Sequence, residues 1–326
     1  MRPLKKIPEE VLGLARRQED LVSAAQADAC GVDPRWQARM VGQGRWVRVT
    51  TGVYDTDPVP AADRPKPDVL DHRRRRAAWI GLLAHGPTSV AVGQAALALH
   101  GVQGLPLVVR PEVMVAGGHH RRARDGIVVR QLDPAVGVVE ASGGRVAAVV
   151  HALGQAVPTL DRRHAVAVLD NAVHQELIAR AEVETAHDLA RGRRGVERTH
   201  GWWRLTDGRA ESPLETFARL DCLDAGVPCD DLQHVVVDPD GRFLGRSDLA
   251  WSLPDGRWVL LEVDGVGVHS APEALLEDRG RQNRLVAEGG VLIQRATWAE
   301  LRVPGRVGDR MADLLVRLGW RQRDVA

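Results

Sequence analysis

The stretch WVLLEVDGVGVHS, residues 258–270, carries two carboxylates where a buried strand should be apolar. Apolar residues run into Glu262, and Asp264 follows one residue later. Because side chains alternate between the two faces of a strand, Glu262 and Asp264 point to the same side. Burying a carboxylate without a partner is costly, so a shared cation is a good physical reason for the pair. Oxygen ligands of this kind suit magnesium or manganese.

A third carboxylate, Asp248, lies in the preceding apolar run, GRSDLAWSL. The runs QHVVVD, GRSDLAWSL and WVLLEVDG are joined by two PDG turns, which predict a meander of three strands. Adjacent strands lie about 4.8 Å apart, so carboxylates at neighbouring strand ends could share one ion. Such an ion can activate a water and stabilise the charge on a phosphodiester. The plainer alternative for Asp248 is a solvated aspartate near a turn.

The elements around these strands predict a compact C-terminal unit. A helix in SPLETFARLDCLDAG precedes the meander, and a helix at 271–289, a strand in GVLIQRATW and a terminal helix follow it. The order αβββαβα is typical of a mixed sheet with helices on both faces. Ser212 and Glu215 fit a capping box, so Glu215 has a structural role as the alternative to a role in the site.

The N-terminal segment predicts three helices and a hairpin. Ser23 is placed to cap one helix, and Asp33 with Pro34 to begin the next. RWVRVTTGVYDT then predicts two strands around a turn at Thr51 and Gly52. Short helices followed by a hairpin are typical of a winged helix-turn-helix, which would offer the helix at 33–43 to the major groove.

Between these units, residues 55–69 contain four prolines and no hydrophobic period, which indicates a linker. The middle segment predicts helices in DHRRRRAAWIGLLAHG, SVAVGQAALALHG, RVAAVVHALGQAV, DRRHAVAVLDNAVHQELI and VETAHDLARG, and strands in PLVVRPEVMVA and GIVVRQLD. The whole chain is therefore predicted as an α/β protein of the α+β multidomain kind. Its predicted parts are a winged helix-turn-helix at 1–57, a linker at 58–69, an α+β domain at 70–210 and a sheet domain at 211–326.

The C-terminal blocks resemble a known fold. Glu215, RSDLAW, EVDGVGVH, EDRGRQNRL and LIQRATW occur in the order found in PD-(D/E)XK endonucleases. More narrowly, residues 210–320 resemble the very-short-patch-repair-like (Vsr-like) domains of actinobacterial proteins. The segment AAQADACGVDPRWQARMVGQGRWVRVTTGVY is similar to the winged helix of AbiEi-type antitoxins, which often precedes such domains.

The resemblance implies roles for individual residues. Asp248 would be the main ligand of a Mg or Mn ion, with Glu262 or the carbonyl of Val263 beside it. His269 would transfer a proton or contact a phosphate. Arg281 and Arg295 would lie near the scissile phosphate.

One position departs from the broader fold, which has lysine where this chain has Asp264. Either Asp264 and His269 replace that lysine, or activity is weak or absent. Alternatively, His269 is an exposed loop residue with no role in the site, and Arg281 lies on the solvent-exposed face of a helix.

These roles imply a DNA-binding protein with a metal-dependent endonuclease domain. The alternative is an antitoxin or transcriptional regulator with an inactive nuclease fold. DNA is the expected partner, and a cognate toxin or a repair protein is a further candidate. Arg35 and Arg39 on the predicted recognition helix would reach bases or phosphates, and Arg45 and Arg48 at the wing would touch the DNA backbone.

Charge and composition are compatible with a DNA-binding protein but do not by themselves indicate one. Residues 1–211 hold 30 Lys and Arg against 24 Asp and Glu, and residues 212–326 hold 14 against 19. The N-terminal part is therefore the better partner for a polyanion. Arginine supplies 41 of the 44 basic residues, which fits phosphate recognition or a GC-rich genome. The three cysteines form no metal-binding or disulfide pattern, and no apolar span of membrane length occurs, so we expect a cytoplasmic protein with no membrane partner.

Overall fold

The structure is a computed structural model that describes residues 6–57, 59–60, 63–64, 68–118, 125–264 and 290–322. Within these residues the chain is mixed α and β, with one sheet each of three, four and five strands. This confirms the predicted fold class at the level of α+β. No helix of the described residues has both the length and the apolar composition that a bilayer crossing requires.

The N-terminal elements surround a small three-stranded sheet. They are α1 (Glu9–Arg17), β1 (Leu21–Ser23), α2 (Ala24–Ala29), α3 (Pro34–Gly42), β2 (Val47–Thr50) and β3 (Val53–Asp55). The strands are antiparallel in the order β1-β3-β2. The predicted helices and hairpin are present, and β1 is an addition that sequence reading missed.

Local signals explain where these helices begin. Ser23 and Gln26 form a full capping box at α2, and the side chain of Asp33 accepts from the amide of Trp36 at α3. Trp36 and Trp46 are buried in one core cluster. The aromatic side of α3 therefore faces inward, and its opposite side carries polar residues.

The middle segment forms a five-stranded sheet with helices. Its elements are α4 (Val69–His85), β4 (Val90–Ala91), α5 (Gly93–Leu99), β5 (Glu112–Val115), β6 (Val128–Gln131), β7 (Val138–Ala141), β8 (Gly144–Ala147), α6 (Val149–Ala156), α7 (Arg162–His174) and α8 (Glu182–Leu189). Short 3₁₀ turns lie at Val157–Thr159, Glu197–Thr199 and Trp203–Leu205. The strand order is β6-β5-β4-β8-β7.

Three predictions for this segment are wrong in part. The start of SVAVGQAALALHG is strand β4, and the start of RVAAVVHALGQAV belongs to strand β8. The two strands pair in parallel through Ala91 and Val146. A short apolar run can form either a buried strand or a helix, so pairing between distant segments decides the outcome. The predicted strand PLVVRPEVMVA is also shorter, since only β5 is a strand.

The C-terminal segment follows its prediction closely. Its elements are α9 (Pro213–Asp224), β9 (Asp231–Val237), β10 (Phe243–Ser252), β11 (Trp258–Asp264), β12 (Val291–Thr297), α10 (Trp298–Leu301) and α11 (Arg306–Arg317). Strands β9, β10 and β11 form the predicted antiparallel meander, and β12 pairs in parallel with β11. The helix predicted at 271–289 lies outside the described residues.

Contacts divide the chain into two compact units. The first contains residues 1–168 and 176–204, and the second contains 169–175 and 205–326. The four sequence segments stay a prediction. The segment predicted as a linker contributes Arg64, which is 4% exposed and pairs with Asp55 at 2.6 Å within the first unit.

Candidate functional site

Asp248 and Glu262 lie where the ladder between β10 and β11 ends. Its last pair is Leu249 with Leu261, so Asp248 and Glu262 are the next two positions on adjacent strands. Oδ2 of Asp248 accepts a hydrogen bond of 2.7 Å from the amide of Val263. This carboxylate takes the place of a main-chain acceptor, which fixes its position where the ladder between β10 and β11 ends.

Glu215 is brought to the same region by α9. It is 6% exposed, and its Oε2 accepts from the amide of Glu211 and from Nε2 of Gln233, both at 2.8 Å. Oγ of Ser212 accepts from the amide of Glu215, so one half of the predicted capping box is present. The glutamate side chain does not turn back to Ser212, and its capping role therefore does not account for its place.

Burial and mutual repulsion alter the acidity of these carboxyls. Burial raises the pKa of Asp248 from 3.8 to about 6, against the lowering effect of the Val263 amide. The charges of Glu215 and Glu262 raise the pKa of Asp248 further. Burial also raises the pKa of Glu215. Asp248 therefore lies in the field of Glu215 and Glu262, and a cation beside it would stabilise its ionised form.

Arg295 brings a positive charge to this edge of the sheet. The parallel register sets Arg295 beside Glu262. One guanidinium nitrogen lies 3.4 Å from Oε2 of Glu262, and another lies 3.9 Å from Oδ2 of Asp264. The side chain of Glu262 is 11% exposed, whereas those of Arg295 and Asp264 are 41% and 46% exposed. Arg295 therefore joins a buried and a half-exposed carboxylate, with its outer side open to solvent.

The donor set of this cluster suits a hard divalent ion. Asp248 and Glu262 offer carboxylate oxygens, and the carbonyl of Val263 lies between the residues of the predicted pair. Among the described residues, no group of three or more His, Cys, Asp or Glu side chains is arranged to hold a metal. An ion at this place would therefore have at most two side-chain ligands, Asp248 and Glu262. Its other ligands would have to come from main chain and water.

Two proteins of Mycobacterium tuberculosis are similar to the chain over most of its length. They are the uncharacterized proteins MT2308, of strain CDC 1551, and Rv2248, of strain H37Rv. Each is 31% identical over 277 residues, which cover 85% of this chain and 95% of the relative. The chain belongs to their family. No family model matches the chain.

The names of these family members state no activity, so a function can be inferred only from the residues of the site. Two of its polar residues were missed from the sequence, Glu211 and Gln233. Gln233 has a φ of 55°, which is uncommon for a residue with a side chain, and lies within β9 at the position that faces Asp248. No sequence signal marks this position, because it depends on the pairing of β9 with β10.

The predicted DNA-contacting residues of the N-terminal segment lie on its surface. Arg35 and Arg39 are exposed on α3, whereas Trp36 on the same helix is buried. Arg48 is exposed on β2, and Arg45 is half-buried just before it. His269 and Arg281, the remaining predicted site residues, lie outside the described residues.

Proposed function

We propose that this family member is a DNA-binding protein whose second unit is a metal-dependent endonuclease of the PD-(D/E)XK, Vsr-like type. The supporting observation is that Asp248 on β10 and Glu262 on β11 are cross-strand neighbours, and that burial, with the charges of Glu215 and Glu262, raises the pKa of Asp248 to about 6. A buried aspartate beside two further carboxylates is a good place for a Mg or Mn ion.

The residues of the cluster would divide the work of phosphodiester hydrolysis. When bound, the ion would supply Lewis-acid activation of water and stabilise charge on the phosphate. Asp248 and Glu262 would hold it, and Glu215 would keep the surroundings negative. Water adds across the P–O bond, which leaves a phosphate on one product and a hydroxyl on the other.

Arg295 is the best candidate for the positive charge that the lysine of the broader fold supplies. It reaches the Glu262 and Asp264 carboxylates from the neighbouring strand and keeps an exposed side. A guanidinium in that position can donate two hydrogen bonds to a phosphate. His269 and Arg281 stay predicted participants.

The N-terminal elements would bind the DNA. Their order, α1β1α2α3β2β3 with strands paired β1-β3-β2, agrees with a winged helix in which α3 enters the major groove. Arg35 and Arg39 on α3 would then face the DNA, with Arg45 and Arg48 at the wing.

A second candidate function is that of an AbiEi-type antitoxin or regulator with an inactive nuclease fold. The observation in its favour is that Arg295 already neutralises Glu262 and Asp264, as a structural ion pair would. A cognate toxin would be the partner in that case. Binding to DNA would persist without cleavage.

A cleavage assay separates the two candidates. We expect full-length protein to nick or linearise plasmid DNA with Mg or Mn and not with EDTA, and we expect Asp248→Ala to lose this activity. Asp255→Ala is the matched control, because Asp255 is an exposed turn aspartate between β10 and β11 that pairs with Arg257. Intact DNA under all metal and salt conditions, with a retained gel shift, would favour the antitoxin or regulator. Equal cleavage by wild type and Asp248→Ala would refute the proposed site.

A double substitution tests the N-terminal DNA surface. Arg35→Ala with Arg39→Ala should weaken DNA binding and make the slope of log K against log salt shallower by about 1 to 2 units, since each lost phosphate contact removes about one. Arg17→Ala, an exposed arginine on α1, is the control. Binding measured by fluorescence anisotropy between low and moderate salt gives the slope. An unchanged slope in the double variant would contradict the assignment of α3.

A further inference from the structure

Two histidines outside the proposed nuclease site face each other in the first unit. His187 lies in the last turn of α8, and His200 follows the 3₁₀ turn Glu197–Thr199. Nε2 of His187 is 2.7 Å from Nδ1 of His200, so one nitrogen donates a hydrogen bond and the other accepts. The pair is therefore a direct imidazole contact in which two ring nitrogens point at the same space.

The surrounding side chains hold both rings in this arrangement. The ring of Trp203 stacks on His187, with centroids 5.0 Å apart and planes 19° from parallel. Trp203 is itself buried and donates from its indole nitrogen to Thr199. The side chain of His200 is 48% exposed, so solvent and small ions can reach the pair.

An exposed carboxylate lies beside the second ring. Oε2 of Glu197 lies 3.4 Å from Nε2 of His200. This position favours the proton on Nε2, which leaves the lone pair of Nδ1 directed at His187. A carboxylate behind a histidine, with the other ring nitrogen free to ligate, is the arrangement that supports histidine ligands in metal sites.

We propose that His187 and His200 form a binding site for a transition-metal ion of the zinc class, with Glu197 as the residue that positions His200. Tetrahedral zinc with Zn–N bonds of 2.0 to 2.1 Å requires nitrogens about 3.3 Å apart, so the rings separate slightly on binding. His187 takes the Nδ1–H tautomer, and the ion replaces the shared proton. Water completes the coordination shell.

Calorimetric titration of full-length protein with zinc chloride tests the site. We expect one high-affinity ion per chain, lost in both His187→Gln and His200→Gln. His174→Gln is the matched control, because His174 is an exposed histidine of the second unit. Each variant is also prepared with Asp248→Asn, so that the carboxyl cluster does not contribute to the titration. Glu197→Gln should bind zinc about tenfold more weakly, as expected for loss of a residue that supports a ligand.

A spectroscopic measurement distinguishes ligation from a structural effect of the substitutions. With one equivalent of Cu²⁺, the paramagnetic resonance spectrum should show coupling to two imidazole nitrogens, and to one in His200→Gln. His200 is exposed, so this variant is expected to fold. Zinc binding that is equal in the wild type and both histidine variants, or absent from the wild type, would overturn the proposal. So would a copper spectrum unchanged by either substitution.

Discussion

Asp248→Asn should make the protein more stable than the wild type at pH 8 by up to about 3 kcal/mol, and equally stable at pH 4. The pKa of Asp248 is raised by burial, and by the charges of Glu215 and Glu262, from 3.8 to about 6. Each pKa unit corresponds to about 1.4 kcal/mol, so a rise of about two units gives a cost of about 3 kcal/mol. Asparagine keeps an oxygen that can accept from the Val263 amide.

The pH window follows from the direction of the shift. A carboxyl whose pKa is higher in the folded state binds its proton more tightly there, so the folded state gains stability from this group at low pH. That stability is fully present below the unfolded pKa of about 4 and is lost as the pH rises to about 6. Above pH 6 the wild type keeps a buried charge close to two others, whereas the asparagine variant does not.

Urea denaturation of both proteins at pH 4, 5, 6 and 8, without divalent metal, measures the effect. Asp255→Asn, on the exposed turn, is the control and should show no comparable gain in stability at pH 8. Added Mg should reduce the difference at pH 8, because it would stabilise the wild-type carboxylates and not the variant. A constant difference at every pH would show that Asp248 does not titrate as the cluster requires.

Asp170→Ala should destabilise the second unit by about 3 to 5 kcal/mol, the typical cost of leaving a buried charge unpaired. Asp170 is 1% exposed. One carboxylate oxygen accepts from the amide of Asp207, and the other accepts from Thr216 and Arg219, all within 2.8 Å. Thr216 and Arg219 both lie on α9, which also carries Glu215.

The substitution should also destabilise the candidate site, because α9 carries both the partners of Asp170 and Glu215. Without Asp170, Arg219 keeps its bond to the carbonyl of Leu205 and loses its carboxylate partner. Urea unfolding should show the lower free energy, and hydrogen exchange should be faster in α9 than in wild type. Asp188→Ala is the control, since Asp188 forms an exposed ion pair with Arg191 that is worth little. A loss below 1 kcal/mol would mean that the network does not hold α9.

The local elements of this chain were predictable because their signals are local. Ser23 and Asp33 cap the helices that they precede, and Gly52 occupies the hairpin turn with a φ of 75°. The meander of β9, β10 and β11 followed from two PDG turns between apolar runs. Each of these signals depends on residues a few positions apart, so one sequence suffices to find them.

Contacts between distant segments could not be predicted from the sequence and became known only from the tertiary structure. The strands at 90–91 and 144–147 were predicted as helix, since their apolar runs suit either state until they pair. Arg76 and Arg64 share Asp55, a contact that no local pattern announces. His187 and His200 are 13 residues apart, and only the packing of the 3₁₀ turn against α8 brings their rings together.

In the candidate site, too, some features were predictable from the sequence and others were decided only by the tertiary structure. The sequence by itself assigned Asp248 to the second strand of the meander and Glu262 and Asp264 to the end of the third, because apolar runs and turns delimit those strands. In the structure Asp248 lies inside β10 and not at its end. Only the tertiary structure set Arg295 beside Glu262 and placed Gln233 on Glu215. Those contacts depend on the parallel register of β12 and on the pairing of β9 with β10, and the free energy that selects both comes from packing across the whole sheet.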